Sequence, residues 1–429
     1  MLVRLLARLC LICFALMFAD AGAQAAPRAT HTVPIGVSVK SLLDYARTRN
    51  PEYAAMQFEV DAAAARAEGA GRLPDPRLRV EWMEITQAGE QNPTLLPSRT
   101  GSTVYTLMQE LPWFGKRALQ RDIADLDIQG AKGRAAWAWA DIAARIKVGF
   151  AQWVSVHENT RLNQEILDLL TRLEKVAQVR YAAGLAVQAD AIRAQVELTM
   201  VKNELIALEN EQRMTAARLN MLLARPADAA LAAPSPLHSP PPAARLDAAV
   251  LLARARANNP QLASDEARRQ AAEKSRDLVL RNRYPDFSIG VTPTQVRNGI
   301  RDWGLMLEVS IPFQQSTRRA NEREAQAMVA AAAARLEATA NQLQAELAEN
   351  ISGLDAARRT GEIIRANLLP QTELTFKSAL ASYENGKVDF ATLLDAQRQI
   401  RIARQSLIKS EAETQNRLAA IERILGEET

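Results

Sequence analysis

The sequence has few of the residues on which the chemistry of an enzyme or a metal site depends. Only two of its 429 residues are cysteine, Cys10 and Cys13, and only three are histidine. The histidines, His31, His157 and His238, lie far apart and lack the spacing of metal ligands. No glycine-rich nucleotide loop, nucleophile elbow or clustered acid–base pair is present. We therefore expect no enzyme, no cofactor and no bound metal.

Long hydrophobic runs and aromatic residues are also scarce. Beyond the N-terminal segment, no stretch reaches the roughly 18 consecutive apolar residues that indicate a membrane-spanning helix. Aromatic residues make up 5% of the chain, whereas 48% is hydrophobic, much of it alanine within charged stretches. This composition favours long, closely packed helices over a bulky globular core. The formal net charge of +4 is small for this length and does not suggest a nucleic-acid partner.

Residues 1–25 have the pattern of a secretory signal peptide. Arg4 and Arg8 accompany an apolar core at residues 5–19, and Ala23-Gln24-Ala25 provides a small-residue cleavage site. The alternative is a transmembrane anchor, but the core is shorter than the roughly 20 residues of a span. Cleavage would remove both cysteines, so we expect an exported protein without thiols or disulfides. Neither cysteine ends the apolar core, so we expect no lipid anchor.

The chain contains one structural plan twice. Residues 42–51 return as 251–260, and three further landmarks recur in the same order. The offset of roughly 200 residues far exceeds the ~20–50 residues of a solenoid unit, so it indicates a tandem duplication. We place the copies at residues 26–224 and 246–429, joined by a linker rich in Pro and Ala at 225–245. The recurring landmarks are Leu73-Pro74-Asp75 with Tyr284-Pro285-Asp286, Leu111-Pro112-Trp113 with Ile311-Pro312-Phe313, and Tyr181-Ala182-Ala183-Gly184 with Tyr383-Glu384-Asn385-Gly386.

Each copy is predicted to hold an opening helix, two strands, a very long helix and a returning helix. At ~1.5 Å per residue each long helix would reach roughly 100 Å, so two shorter helices stacked end to end would match it. In the last helix a stripe at spacings of three and four predicts a coiled-coil seam rather than an ordinary amphipathic helix on a globular core. The predicted ranges are 38–71 and 246–282 for the opening helices, 115–183 and 317–383 for the long helices, the second interrupted at Gly353, Gly361 and Pro370, and 187–224 and 388–425 for the returning helices.

Two segments of each copy alternate between large apolar and small or polar side chains. We predict strands at about 76–85, 102–111, 286–292 and 302–312, each with one apolar and one polar face. A half-buried soluble sheet would show the same alternation, but the export signal and the paired placement favour an outer-membrane barrel. Connections at 87–101 and 293–301 would be the outer loops. Aromatic residues near the strand ends would form a membrane girdle: Trp82, Tyr105, Phe287 and Trp303.

Four strands cannot close a barrel by themselves. An open sheet edge in lipid leaves backbone groups unsatisfied, at a cost of several kcal/mol each. Two chains would make an eight-stranded barrel whose interior is nearly filled by side chains, and three would make twelve strands around an aqueous lumen. The sequence therefore demands an oligomer and favours three chains.

On these residues the chain resembles the TolC-like outer-membrane efflux proteins. The most specific segment, residues 383–397, is similar to the helix turn and following helix start of that family; the Asn-Pro, Pro-Asp and strand–Pro–helix motifs also fit. Residues 111–117 are most similar to the CusC/CzcC-like heavy-metal branch. The resemblance covers essentially the whole mature chain. It implies a mainly α protein with a small β-barrel part, in which duplicated β-β-long-helix units of three chains form a twelve-stranded outer-membrane barrel continued by a periplasmic coiled-coil tunnel.

The resemblance also implies a function. The chain would be the passive exit channel of a tripartite efflux system, receiving cargo, here heavy-metal cations, from an inner-membrane pump of the resistance-nodulation-division (RND) type. Its partners would be two further copies of itself, a periplasmic adaptor (membrane fusion protein), that RND transporter and outer-membrane lipid. A TolC-like channel for drug efflux or type I protein secretion has the same architecture. A periplasmic coiled-coil or adaptor protein without a pore is the alternative from another class, and the duplicated strand pairs argue against it.

The matched motif assigns candidate roles near the two helix turns. Asp190, Tyr383 and Asp395 would belong to a periplasmic gate, in which the Tyr383 hydroxyl bonds to Asp190 and Asp395 lines the constriction. Without the motif, the aspartates would be solvated helix charges and Tyr383 would fill a packing gap. The family's Thr–Arg gate pair is replaced here by Ala189 and Val388, and a second aspartate by Thr392. The residues expected at the turns, where an adaptor would dock, are Gly184, Val187, Gly386, Val388 and Asp389.

Overall fold

A computed structural model describes residues 35–85, 95–98, 100–237 and 247–427. The predicted signal peptide, most of the predicted first outer loop and the second part of the predicted linker lie outside these residues. In the part of the chain that the structure describes, no helix combines the length and the apolar character needed to cross a membrane.

Helices make up most of the described chain, and they follow the same order in each copy. The longest helix has 67 residues, which at about 1.5 Å per residue gives a length of roughly 100 Å. The first copy contains α1 (Val39–Arg49), α2 (Pro51–Gly69), α3 (Lys116–Ala182) and α4 (Gln188–Leu222); the second contains α5 (Ala248–Asn258), α6 (Pro260–Arg281), α7 (Gln315–Ile363), a π-helical turn (Ile364–Leu368), α8 (Leu369–Glu384) and α9 (Phe390–Leu425).

The opening helix of each copy is broken at the Asn-Pro dipeptide, so the prediction of a single continuous helix was wrong. Pro51 and Pro260 begin α2 and α6, because proline suits the first turn of a helix and keeps the residue before it extended. Asn50 and Asn259 are those preceding residues. Their side-chain oxygens cap the new helices by accepting hydrogen bonds from the backbone two positions beyond each proline, at 3.0 and 2.9 Å.

The same two asparagines join the opening helices to the returning helices. Asn50 Nδ2 donates to the carbonyl oxygen of Leu222 at 2.8 Å, and Asn259 Nδ2 donates to that of Ile424 at 2.7 Å. Both acceptors lie in the last turn of a helix, where carbonyls lack partners within the helix. The asparagines are 4% and 1% exposed. As a result α2 is stacked on α4 along α3, and α6 is stacked on α9 along α7, as the helix lengths predicted.

The long helices run through their glycines without a break. Gly353 and Gly361 lie inside α7, so the predicted interruption at these two positions was wrong. Glycine permits close packing between helices instead. At Gly133 of α3, an added Cβ would come within 2.8 Å of the Ser264 Cβ on α6. Small residues also occupy much of the seam that was predicted in the last helix, α9, and the following seam residues are buried: Ala396, Ala403, Ser410, Thr414, Ile421 and Leu425.

A π-helical turn marks the place where Pro370 was expected to interrupt the second long helix. The turn occupies Ile364–Leu368, directly before α8, and Pro370 lies in the first turn of α8. Proline has no N–H to donate and its ring clashes with the carbonyl four residues earlier, so the helix widens locally rather than ending.

The four strands form one antiparallel sheet in the order β1-β2-β3-β4, with β1 and β4 at its edges. The second hairpin is longer than expected, because its strands extend through residues 293–301 and leave a two-residue turn at Arg297 and Asn298. The prediction of an outer loop there was therefore wrong. The Asn298-Gly299 dipeptide is typical of a hairpin, although the turn itself lies one residue earlier, at Arg297 and Asn298. The strands are β1 (Arg77–Met83), β2 (Ser102–Leu111), β3 (Asp286–Val296) and β4 (Gly299–Ser310).

The register gives this sheet one apolar and one polar face, since directly paired residues point to the same side. On the polar face, Met108 and Met306 flank Gly290, and charged residues occupy the two edge strands. The apolar face is built by Leu78, Val80 and Trp82 of β1, Leu107 of β2, Ile289 and Val291 of β3, and Trp303, Leu305, Leu307 and Val309 of β4.

A polar contact ties the start of β3 to the start of α3, where sheet and helices meet. The Asp286 carboxylate accepts hydrogen bonds from Lys116 Nζ at 2.9 Å and from the Trp113 backbone N–H at 2.7 Å. The Lys116 side chain is only 7% exposed. Beside it, the Trp113 ring stacks on Tyr284 with 5.1 Å between ring centroids. We call this group the sheet–helix joint; it connects the two copies within the chain.

The asparagine contacts predict a specific loss of stability. Asn259→Ala removes a helix cap and leaves the Ile424 carbonyl buried without its donor, so we expect it to destabilise this region by roughly 2–4 kcal/mol. Asn259→Asp keeps the capping oxygen but loses the donor and should fall between the wild type and Asn259→Ala. Hydrogen exchange of the peptides around residues 259–265 and 420–427, together with thermal unfolding in detergent, measures the change.

The control is Asn258→Ala, because the Asn258 side chain is exposed and makes no hydrogen bond within the described chain. Equal protection in Asn258→Ala and Asn259→Ala would contradict the role given to Asn259.

Candidate functional site

Two helix reversals of the same geometry lie at the end of the helices farthest from the sheet. Gly184 and Gly386 have φ values of 71° and 67°, a left-handed conformation that glycine adopts without a steric cost. At each glycine, its N–H bonds to the carbonyl three residues earlier, and the next N–H bonds to the carbonyl five residues earlier. These paired bonds are the Schellman ending of a helix. The matching sequence landmarks therefore form matching turns, which we call the tip.

The residues that follow the two glycines differ in exposure and charge. Val187 is 64% exposed and precedes α4 without a side-chain cap. Its counterpart, Asp389, caps α9 by accepting hydrogen bonds from the Thr392 backbone N–H at 3.0 Å and the Thr392 hydroxyl at 2.6 Å. These hydrogen bonds, the side-chain one first, lower the pKa of Asp389. Val388 is half-buried against the hydrophobic cluster of the tip. The role of these residues in docking stays a prediction.

Tyr383 is buried at the tip among residues of both copies. It is 2% exposed, and its ring lies 5.4 Å from that of Phe390. The guanidinium of Arg180, on α3, lies 5.0 Å from the centre of the Tyr383 ring, and Arg180 also donates to the Glu384 carbonyl at 3.0 Å. The Tyr383 hydroxyl is buried and has no hydrogen-bond partner within the described chain. The matching residue of the first copy, Tyr181, is 47% exposed.

Asp190 lies near Tyr383 but does not bond to it. Asp190 is 6% exposed in the first turn of α4, and its carboxylate is 3.7 Å from Arg193. Burial raises the pKa of Tyr383, and the nearby negative charge of Asp190 raises it further, while Arg180 opposes the increase. The structure thus brings the two predicted gate residues into electrostatic contact. It does not contain the predicted hydroxyl–carboxylate hydrogen bond, because the carboxylate faces Arg193 instead.

Asp395 is separate from this pair. Its side chain is 67% exposed on α9 and lies 3.6 Å from Arg398. An exposed carboxylate at this position is available to line a passage between chains, and that role stays a prediction.

A ladder of charged contacts between α4 and α9 was missed by the sequence analysis. Arg398 bonds to Glu197, which is 2% exposed and whose second carboxylate oxygen has no partner in the described chain. About two turns further along α4, Glu204 contacts Arg401 and Gln405 of α9, at 3.5 and 2.8 Å. The available signal was the seven-residue spacing of the two glutamates, which places them on one face of a helix. These contacts join the first copy to the second.

The predicted aromatic residues are divided between the two ends of the sheet. Trp82 and Trp303 are 41% and 70% exposed on the apolar face, toward the hairpin ends. The Tyr105 hydroxyl, on the same face, donates to Gln295 Oε1 at 3.1 Å. Phe287 lies at the opposite end, where its ring is 5.7 Å from that of Trp113 in the sheet–helix joint. Trp113 was not among the predicted aromatic residues.

The described residues offer no obvious metal site: no three His, Cys, Asp or Glu side chains in them come together as possible ligands. His157 Nδ1 lies 2.9 Å from the Trp153 carbonyl oxygen, and its other ring nitrogen contacts Gln212 at 3.2 Å, so both nitrogens have neighbours in the helix pair. His31 and His238 lie outside the described residues.

Comparison with known proteins identifies relatives along almost the whole chain. The family model described as outer membrane efflux protein matches residues 42–225 and 251–427. The cobalt-zinc-cadmium resistance protein CzcC of Cupriavidus metallidurans is 24% identical over 425 residues, covering 96% of each sequence.

Solved structures with the same fold include three outer-membrane proteins. CusC superposes with a TM-score of 0.78 at 16% identity, covering 95% of this chain and 96% of that one. VceC of Vibrio cholerae gives 0.77 at 16% identity, covering 91% and 96%. The outer-membrane channel OprN gives 0.76 at 18% identity, covering 95% and 97%. The predicted fold class, long helices with a small sheet in a TolC-like arrangement, is confirmed.

The environment of Tyr383 predicts a measurable titration. The tyrosinate absorbance of the wild type minus that of Tyr383→Phe isolates this phenol, and its midpoint should lie above the ordinary pKa of 10.0. Because the pKa is higher in the folded tip than in the unfolded chain, the neutral phenol stabilises the tip below about pH 10, and this contribution is lost as the pH rises through the folded pKa. Asp190→Asn should lower the midpoint, since it removes a neighbouring negative charge.

Tyr181→Phe is the matched control. It removes an exposed phenol and should leave the titration midpoint of Tyr383 unchanged. A midpoint at or below 10.0 would show that Tyr383 is not enclosed as described.

Proposed function

The chain belongs to the outer membrane efflux protein family, and we propose that it forms the exit channel of a tripartite system that removes heavy-metal cations from the cell. It resides in the outer membrane and extends into the periplasm, as its family does. The observation that carries the proposal is the continuity of the fold. A sheet with an apolar face passes directly, through the sheet–helix joint, into helices of roughly 100 Å.

The channel requires more than one chain. The sheet ends at β1 and β4, and neither edge is paired within the described chain. Three copies supply twelve strands and a lumen wide enough for hydrated cargo, whereas two would supply eight strands around a nearly filled interior. We therefore propose a homotrimer in outer-membrane lipid, with the apolar face of the sheet outward and the polar face lining the lumen.

The tip is the proposed contact with a periplasmic adaptor. Gly184 and Gly386 lie in the turns of two helical hairpins, α3–α4 and α8–α9, and Val187, Val388 and Asp389 follow these glycines. The first copy presents the exposed side chain of Val187, and the second presents the carboxylate of Asp389, which caps α9. The adaptor would connect this end to an inner-membrane transporter of the RND type, which would supply the energy. In this proposal the channel itself is passive and performs no chemistry.

The proposed cargo is the cobalt, zinc and cadmium group of divalent cations. The support is the similarity to CzcC, which extends over 96% of both sequences. Cation passage would be favoured by carboxylates near the tip, where Asp395 is exposed. Selection among metals would be left to the pump.

We propose that Asp190, Tyr383 and Asp395 contribute to a gate at the tip. Arg180 and Tyr383 belong to different copies and are in contact, so the tip is held by a link across the duplication. The buried Asp190 charge lies beside this link. Moving the helical hairpin α3–α4 away from the helical hairpin α8–α9 would expose Tyr383 and separate it from Arg180.

Deletion of the gene tests the function. The deletion strain should lose resistance to cobalt, zinc and cadmium, and a plasmid copy of the chain should restore it. The complementing protein should be found in the outer-membrane fraction as an oligomer that survives mild detergent.

Unchanged growth on these metals together with sensitivity to organic drugs, or loss of a secreted protein, would replace the proposed cargo. A monomer in the periplasmic fraction would overturn the channel itself and favour the structural coiled-coil alternative.

The gate predicts an increase in conductance. Asp190→Ala and Tyr383→Phe, combined with Arg180→Ala, should raise the single-channel conductance in planar bilayers several-fold, because the contact of the Arg180 guanidinium with the ring at position 383 is then lost. Asp395→Asn should reduce the preference for cations without the same increase. Tyr181→Phe, the same change at the matching exposed position, should leave the conductance at the wild-type value. Equal conductance in all variants would exclude these residues from the gate.

A further inference from the structure

Because the chain is duplicated, the strand pairing between its two copies is a template for the strand pairing between neighbouring chains. At β2–β3 the end of the first copy's hairpin pairs with the start of the second copy's hairpin. At the two free edges, β4 is the second strand of the second copy and β1 is the first strand of the first copy. A contact between β4 of one chain and β1 of the next would therefore repeat the contact between β2 and β3. We propose that β4 of one chain pairs with β1 of the next in the register of β2–β3, and that Glu308 and Arg79 form an ion pair across this boundary. The proposal rests on the proposed function as an oligomeric channel.

The correspondence between the copies can be checked within the structure. The landmarks align Asp75 with Asp286 at the start of the hairpins and Leu111 with Ile311 at their ends. This alignment converts the observed pair Arg77–Met108 of the first hairpin into Ser288–Glu308 of the second. That pair is present. Both hairpins therefore share one register, and the alignment is suitable for transferring the β2–β3 register to the free edges.

Transfer of the apolar pairs gives a matched apolar face. The observed pair Leu107–Val291 becomes Leu307 opposite Val80 of the neighbouring chain. In the same way Gln109–Ile289 becomes Val309 opposite Leu78. The side chains of Leu307 and Leu78 are 65% and 67% exposed in the single chain. A slip by one residue would place these side chains opposite the charged residues of β1.

Transfer of the polar pairs brings opposite charges together. Met108–Gly290 becomes Glu308 opposite Arg79. Within the described chain Glu308 has no ion pair or hydrogen bond from its side chain, and Arg79 has only the neighbouring Glu81, at 3.6 Å with both side chains largely exposed. Directly opposed charges of opposite sign are favourable on a sheet. Glu308 and Arg79 thus replace the uncharged pair Met108 and Gly290 of β2–β3 with two side chains of opposite charge.

The sheet–helix joint has a counterpart at the same boundary. Asp75 corresponds to Asp286, and it is exposed with no partner within the described chain. Phe313 of the neighbouring chain corresponds to Trp113, so Asp75 would accept a hydrogen bond from the Phe313 backbone N–H, as Asp286 does from that of Trp113. The Phe313 ring is 79% exposed, and Leu73, in the place of Tyr284, would cover it.

Cysteine pairs test the register in the full-length protein. The mature protein is predicted to contain no native cysteine, so the pairs Arg79→Cys with Glu308→Cys and Val80→Cys with Leu307→Cys should form covalent dimers and trimers on oxidation. Adjacent positions are chosen because hydrogen-bonded and non-hydrogen-bonded pairs alternate along antiparallel strands, and the latter bring side chains closer. The matched controls shift one partner by two residues: Arg79→Cys with Met306→Cys, and Val80→Cys with Leu305→Cys. Denaturing gels should show several-fold more cross-linked product for the first set.

Preferential cross-linking of the shifted pairs in a protein that still forms trimers and restores metal resistance would overturn the register and leave the proposed function intact. A chain that remains monomeric in detergent and yields no product from either set would overturn both.

Charge reversal tests the ion pair separately. Arg79→Glu and Glu308→Arg should each lower the temperature at which the trimer dissociates in detergent, because each places like charges opposite one another. The double variant should recover most of that loss, since it restores opposite charges in reversed order. Additive losses in the double variant would show that the two residues do not face each other.

Discussion

Backbone hydrogen bonding at the sheet edge is the constraint from which the rest of this structure follows. A strand in lipid must have both sides paired, since no water is available to satisfy its N–H and C=O groups. Four strands with one apolar face meet that requirement only when further copies continue the sheet. Duplication is an economical solution, because a joint between two copies within a chain can serve with small changes as a joint between chains. Asp286, at the start of β3, accepts hydrogen bonds from Trp113 and Lys116 at the start of α3, so the contact between the copies continues from the sheet into the helices.

The second recurring device is the Asn-Pro junction. Proline ends one helix and begins another, and asparagine has both an acceptor for the new helix and a donor for the end of a third. Aspartate would lack the donor and serine would lack the reach, so the side chain is suited to a place where three helix ends meet. Stacked short helices thereby act as one column beside each long helix. Each long helix is therefore packed along its length against two shorter helices that lie end to end.

Much of this arrangement was readable in the sequence, and the omissions have physical causes. The periods of two and of three to four identified strands and helices, since each is produced directly by backbone geometry. The break at Asn50 was missed because helical periodicity continues across a proline that lies in the first turn of the next helix. Residues 293–301 contain Pro and Gly and resembled a loop, yet a bulge beside Gln295 allows the hairpin to continue. Contacts such as Arg398–Glu197 join residues about 200 positions apart, and no local pattern specifies such a pair.

The two copies differ most where function is proposed. At the sheet and at the asparagine junctions their contacts are nearly identical, whereas at the tip Tyr383 is buried and Tyr181 is exposed. The Tyr383 hydroxyl and one carboxylate oxygen of Glu197 are buried without partners in the described chain. Burial without a partner costs about 1–3 kcal/mol for each such atom. A change in the spacing of α4 from α8 and α9 would alter those contacts while leaving the sheet and the stacked columns intact. Movement of the helical hairpins at the tip would therefore leave the repeated joints, which lie elsewhere in the molecule, undisturbed.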